Sequence, residues 1–267
     1  MPFVRYRETD LYYTEKGKGR VVVLLHGFLE NHTLWDATEA KLAESYRVIR
    51  MDLPGHGNSG NLGYTHSMED MAGAVKAVLY SLQIRRSVMV GHSMGGYTAL
   101  AFAELFPKEL RGIILLHSTP AADTPERMQD RIKAMRVAEK NKDRYLAETG
   151  NHLFYPTFPQ KKECLEGFYK MAQKTSLQGI VAALEGMRTR PDRTELLGNF
   201  DGRKFILFGK YDKLISPQKL KEISLKHPQI ILRELKKSAH MSMFEEPENY
   251  LKMLQTCIRR SYAKQTL

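Results

Sequence analysis

Ser93 stands in the run Gly91-His92-Ser93-Met94-Gly95-Gly96, which follows the strand-like stretch Ser87 to Val90 and opens a helical pattern. A serine on a sharp strand-to-helix turn is lifted out of its sheet, and the helix N-terminus behind it favours negative charge developing on a reacting oxygen. Such a turn strains the backbone, and glycine at 91 and 95 lets the neighbouring elements approach closely. A serine hydroxyl needs a base to become a nucleophile, and the base needs a group to orient it. Phe208-Gly209-Lys210-Tyr211-Asp212-Lys213 ends one strand-like run with a carboxylate, and Ser238-Ala239-His240 places an imidazole after another. Ser93, Asp212 and His240 are therefore the candidate nucleophile, acid and base for attack on a carbonyl carbon. Asp123, beyond the strand-like run ending near Leu116, is the second choice of acid.

The tetrahedral intermediate of such an attack needs hydrogen-bond donors for its oxyanion. His26-Gly27-Phe28 follows the apolar run Val21 to Leu25, and in an α/β sheet the loops beyond the C-terminal strand ends meet in space. The backbone N–H groups of Phe28 and Met94 are the expected oxyanion donors. His26 reads as a structural histidine that holds its loop, and His56, within the glycine-bearing stretch Asp52 to Ser59, reads the same way.

These residues require a scaffold of strands with loops at one end. Strand-like runs at Phe3 to Tyr6, Leu11 to Thr14, Val21 to Leu25, Tyr46 to Met51, Ser87 to Val90, Gly112 to Leu116, Lys204 to Phe208 and Gln229 to Leu232 supply it. Helical patterns occur at Met68 to Leu82, Met94 to Phe106, Pro217 to Leu225 and Glu248 to Arg260. The alternation predicts an α/β fold with a mostly parallel, doubly wound sheet. It stops between Thr119 and Arg190, where several helices rich in Met and aromatic residues are expected as an inserted cap, with Pro120, Pro125 and Pro191 at its edges. The expected organisation is a core of 1–118 and 191–267 interrupted by a cap of 119–190. Phe154, Tyr155, Phe158, Met135 and Met187 are the candidate pocket residues.

The nucleophile turn, the stretch Asp52-Leu53-Pro54-Gly55-His56-Gly57-Asn58-Ser59, the acid-bearing segment Phe208 to Asp212 followed by Ser216-Pro217, and His240 together resemble the α/β-hydrolase family, in its serine esterase and lactonase-like branch. The resemblance covers essentially the whole chain, and Ser93, Asp212, His240 is the family's order of nucleophile, acid and base. It implies a two-step acyl transfer: an acyl-enzyme on Ser93, then hydrolysis by water. It implies no metal and no organic cofactor.

The 267 residues carry a formal charge of +11, with Lys and Arg scattered among Asp and Glu, so a solvated basic surface is expected and no nucleic-acid partner. Two cysteines, Cys164 and Cys257, cannot form a dense disulfide framework, and Met1 to Asp10 lacks the apolar segment of a signal peptide. A cytoplasmic location without stable membrane insertion is expected. The Met-rich, aromatic cap favours a small to medium apolar ester as the partner, with lactone and thioester as close relatives. Carbon–carbon bond hydrolysis or perhydrolysis on the same residues, a ligand receptor that has kept the fold, and a peripheral lipase are the competing readings. The oligomeric state is left open.

Overall fold

The computed structural model describes residues 2–263; Met1 and positions 264–267, which fall in the two expected core segments, lie outside the described residues. The strands are β1 (Phe3–Tyr6), β2 (Thr9–Lys16), β3 (Val21–Leu25), β4 (Arg47–Met51), β5 (Ser87–His92), β6 (Leu110–Leu116), β7 (Arg203–Gly209) and β8 (Ile231–Leu235). They form one sheet in the order β1-β2-β4-β3-β5-β6-β7-β8. β1, β2 and β4 pair antiparallel, and all pairs from β4 to β8 are parallel. Every residue of β3 and β5 is buried, as continuous apolar strands require when helices cover both faces.

The helices are α1 (Asp36–Leu42), α2 (Met68–Ser81), α3 (Met94–Leu105), α4 (Pro125–Lys140), α5 (Lys142–Gly150), α6 (Lys161–Ala172), α7 (Leu177–Thr189), α8 (Thr194–Asn199), α9 (Pro217–Lys226), α10 (Ser242–Glu245) and α11 (Pro247–Tyr262). Several begin as sequence chemistry dictates. Ser67, Thr124, Asn141, Ser176 and Ser216 each accept a backbone N–H from the first turn, and Pro125 and Pro217 occupy first-turn positions where no N–H is needed. α3 packs on β5 and β6, and α11 on β6 and β7. Among the described residues no helix is long and apolar enough to cross a membrane, and both cysteines are free.

One expected strand shifts and one helix is added. The last strand is Ile231–Leu235 rather than Gln229 to Leu232, because Ile230 N–H turns back to the carbonyl of His227 and Arg233 and Glu234 continue the ladder. Charged residues suit this position, since β8 is the sheet edge. α1, a seven-residue helix, carried no recognisable pattern.

The topology sets the site. From β3 the chain continues to β4 on one side, whereas from β5 it continues to β6 on the other. The crevice between the C-terminal ends of β3 and β5 is thus a topological switch point, where open α/β sheets bind ligands. The four helices α4 to α7 lie in sequence between β6 and β7 and pack on one another, α4 against α5 and α7, and α5 against α6.

Candidate active site

Ser93 joins β5 to α3 with φ 49° and ψ −113°, a region L-residues rarely enter. The turn is held on both sides. Ser93 N–H donates to the carbonyl of Leu116 at 2.9 Å, and its own carbonyl accepts from Gly96 N–H at 2.9 Å and from the Ser118 hydroxyl at 2.8 Å. The glycines are a steric necessity: a Cβ on Gly91 would lie 2.3 Å from the Gly95 carbonyl oxygen, and one on Gly95 2.3 Å from that of Leu25.

Asp212 follows β7 and is buried. Its Oδ1 accepts the N–H groups of Leu214 at 2.9 Å and Ile215 at 3.0 Å. Its Oδ2 accepts from Nδ1 of His240 at 2.7 Å and from Nδ1 of His117 at 3.1 Å. Burial alone would raise the carboxyl pKa, but the charge of His240 and the donors on Oδ2 outweigh it and hold Asp212 well below the usual carboxylate range. An ionised carboxylate can only accept, so both imidazoles present Nδ1–H to it. His240 is thereby fixed with Nε2 on the far side of its ring, and it lines the same cavity as Ser93.

His117, which the sequence reading did not single out, sits just past β6 at φ 48°. Burial pushes its pKa down to about 4, so it is neutral. With Nδ1–H given to Asp212, Nε2 accepts the Ser242 hydroxyl at 2.8 Å. His117, Asp212 and His240 bring three possible metal-ligand atoms within 4.8 Å of one another. Both nitrogens of His117 and Nδ1 of His240 are already hydrogen-bonded within the protein, so this is a proton-ordered network rather than a donor set open to a cation.

The loop after β3 forms a turn closed by Glu30 N–H on the carbonyl of Gly27 at 3.3 Å, with Leu29 at φ 65°. The N–H of Phe28 takes no part in that closure, and the N–H of Met94 is the first of α3, which a helix leaves unpaired. None of the described turn and loop hydrogen bonds engages either. His26 donates Nδ1–H to the carbonyl of Gly27 at 2.7 Å and accepts Leu53 N–H on Nε2 at 2.9 Å. It binds this loop to the one after β4, and burial keeps its pKa low. His56 is buried beside it with Nδ1 3.1 Å from the Pro54 carbonyl, and burial lowers its pKa to about 3.

A second unanticipated residue, Glu30, is 2 % exposed and accepts Gly27 N–H at 2.5 Å and His92 Nδ1–H at 2.9 Å on one oxygen. His92 also points Nε2 at the carbonyl of His240, 3.0 Å away. Both of its nitrogens face acceptors, so the ring is the doubly protonated cation. Burial works against that form, but the Glu30 carboxylate outweighs it and raises the His92 pKa; burial likewise works against ionised Glu30, whose pKa His92 holds down.

Ser93, His240 and Phe28 line a cavity of about 470 Å³. Of the candidate pocket residues only Met187 lines it. Phe154 is buried and stacks on Phe158 with centroids 6.1 Å apart, while its neighbour Leu153 faces the cavity. Tyr155 and Phe158 border a separate depression, Tyr155 against Tyr211 at 4.4 Å. On α4 the cavity stripe is Arg127, Asp130, Arg131 and Ala134, and Met135 is packed against the core. The rotation of α4 for Met135, and the course of the loop between α5 and α6 for Phe154, Tyr155 and Phe158, decided these cases, and composition fixes neither. Tyr145 and Phe168 supply the aromatic lining instead. Asp123 is held by Arg131 and Arg190 and has no bond to His240.

With fold and geometry in place, comparison with known proteins agrees. Residues 20–247 match the model of the alpha/beta hydrolase fold family, and the chain belongs to it. A thermophilic esterase from Thermogutta terrifontis superposes with a TM-score of 0.91 at 28% identity, covering 97% of each chain. AB hydrolase superfamily protein YisY of Bacillus subtilis is 27% identical over 250 residues, 89% of this chain and 91% of that protein. An uncharacterized protein of Mycobacterium tuberculosis is 39% identical over 118 residues, and the match spans only 35% of its length.

Proposed function

We propose that this α/β hydrolase cleaves a carboxylic ester, or a related lactone or thioester, through an acyl-enzyme on Ser93. The observation that carries the reading is the 2.7 Å bond from His240 Nδ1 to Asp212 Oδ2, with His240 and the strained Ser93 turn on one cavity. In this mechanism Ser93 Oγ adds to the carbonyl carbon while His240 Nε2 takes its proton. Phe28 and Met94 N–H groups hold the oxyanion. The intermediate collapses, the bond to the leaving oxygen breaks, and His240 returns the proton to that oxygen. Water then repeats the sequence and releases the acid. Asp212 stays ionised and stabilises the imidazolium.

The helices within 119–190 act as the cap of this site, a role supported by their lining of the cavity through Arg131, Tyr145, Phe168 and Met187. The fold's esterase relative supports the same substrate class. Hydrolysis of p-nitrophenyl esters of graded acyl length tests the reading, with Ser93→Ala as control. Turnover that disappears in Ser93→Ala is the expected result; turnover that survives the substitution overturns it.

A further inference from the structure

The cavity that holds Ser93 and His240 is not uniformly apolar. Three arginines converge on one carboxylate at its cap side. Arg131 Nε and Nη2 both bond Asp123, Arg190 Nη2 reaches Asp123 Oδ1 at 2.8 Å, and Arg127 Nε lies 3.7 Å from the same oxygen. Asp123 and Arg190 are almost fully enclosed, at 2% and 3% side-chain exposure, and Arg131 is 11% exposed. Arg190 is also drawn to Asp192, so three guanidiniums face two carboxylates and one positive charge is left over beside the cavity, where water screens it less than in bulk solvent.

The donors tell the same story. A guanidinium carries five N–H groups. Arg131 places Nη1 against the thioether sulfur of Met187 at 3.4 Å, a weak acceptor, and Asp123 is its one oxygen partner among the described residues. Arg190, by contrast, also reaches the carbonyls of Met187 and Ala121 and lies 3.9 Å from the ring centroid of Tyr97. Arg127 is 40% exposed and, among the described residues, has Asp123 as its one ion-pair partner. The carboxylate facing the cavity on the same helix, Asp130, is exposed and bonded to Lys133 at 3.1 Å. Arg127 and Arg131 line the cavity directly, and an adjoining depression shared through Tyr97, Arg127, Leu214 and Ile215 adds Arg190, Lys213 and Lys219.

We propose that Arg127 and Arg131 form a carboxylate-binding subsite, so that the preferred substrates are esters carrying a second, ionised carboxylate at the end remote from the scissile bond. The inference rests on the esterase reading above and narrows its substrate class. A planar carboxylate suits a guanidinium fork, and seating it beside Arg131 supplies the anion that Asp123 alone does not. Ser93 lines the same cavity, so an ester whose carboxylate is seated there can present its carbonyl to Ser93. On this proposal the apolar ester expected from the cap's composition becomes an apolar spacer between two polar ends.

The test compares p-nitrophenyl hemisuccinate, hemiglutarate and hemiadipate with neutral p-nitrophenyl alkanoates of matched length, in the parent protein and in Arg131→Gln and Arg127→Gln. Asp123 keeps Arg190 in both variants, and the half-exposed Arg127 position serves if Arg131→Gln fails to fold. The expected result is a higher kcat/KM for at least one hemiester in the parent. The anionic-to-neutral ratio then falls in the variants on the order of tenfold to hundredfold, the worth of a charge-assisted hydrogen bond, and mainly through KM. No preference in the parent, or a ratio unchanged in both variants, overturns the proposal. Thermal stabilisation of Ser93→Ala by glutarate reads the subsite without turnover. Stabilisation lost on adding Arg131→Gln or Arg127→Gln supports it even where no ester is cleaved, an outcome that would reject only the esterase reading; no stabilisation in that case rejects both.

Discussion

Glu30 and His92 form a buried ion pair at the meeting point of three functional segments, with Oε2 of Glu30 2.9 Å from Nδ1 of His92. The same carboxylate oxygen holds the loop that carries Phe28, through Gly27 N–H, and the same imidazole holds the backbone of His240. His92, next to Ser93, thus ties the loop after β3 to the segment after β8.

Replacing Glu30 with Gln keeps the shape but leaves His92 without its counter-charge. Breaking one side of a buried pair costs about 3–5 kcal/mol. Urea unfolding of Glu30→Gln is expected to show a loss of this order, with kcat for ester hydrolysis reduced more than KM. A variant as stable as the parent would contradict the charged pair.

His117 is a positioning residue for Asp212. In His117→Leu the carboxylate loses one of its two imidazole donors, and the Ser242 hydroxyl loses its acceptor. A fall in kcat of roughly tenfold is expected, within the value of one hydrogen bond to a charged group. His117→Gln, which retains an N–H donor, should recover part of it. Equal rates in the parent and both variants would remove His117 from the account.

The glycines make opposite predictions at two positions. At Gly91 a methyl group meets only backbone, so Gly91→Ala should cost roughly 3 kcal/mol or more and displace the Ser93 turn. At Gly167, inside α6, a Cβ meets nothing within 4 Å, and Gly167→Ala should stabilise by about 0.5–1 kcal/mol through helix propensity. Thermal unfolding of the two variants checks both.

Four buried histidines, His26 among them, make the fold acid-sensitive, since burial lowers the pKa of each. His56 titrates at about 3 and His66 and His117 at about 4 in the folded protein, each lowered chiefly by burial from 6.5. The unfolded chain binds their protons first, so stability falls as pH drops from 6.5 towards 4. His92, with its raised pKa, works in the opposite sense, its contribution being complete below 6.5 and lost as pH rises through its folded value. Glu30 and Asp212, lowered when folded, add to acid loss only below about pH 4.5. Unfolding free energies from denaturant titrations at pH 7 and pH 5 should differ by a few kcal/mol in favour of pH 7; a flat profile would mean these histidines are already charged.

The strand and helix pattern, the Ser93 turn and the order of Ser93, Asp212 and His240 were legible because each rests on local signals: apolar runs, glycines and the ends of strands. Glu30 and His117 were not, since their roles arise only when β3 meets β5 and β6 meets β7. For His117 the one available signal was its place just past β6, the same placement that marked Asp212. The pocket was misread at Phe154, Tyr155, Phe158 and Met135 because apolar composition says nothing about which way a short helix or loop faces. The arginines around Asp123 were overlooked for the same reason: a charged residue on a helix is usually solvated, and here Arg131 of α4 and Arg190 at the end of α7 turn inward around Asp123.

The central claim is that Ser93 is an activated nucleophile. Treating the folded protein with a fluorophosphonate and locating the adduct by mass spectrometry tests it directly, with Ser93→Ala as control. One adduct per chain on Ser93, absent from the variant, is the expected result. A folded protein that takes no adduct at Ser93, or takes it at another serine, would contradict the claim.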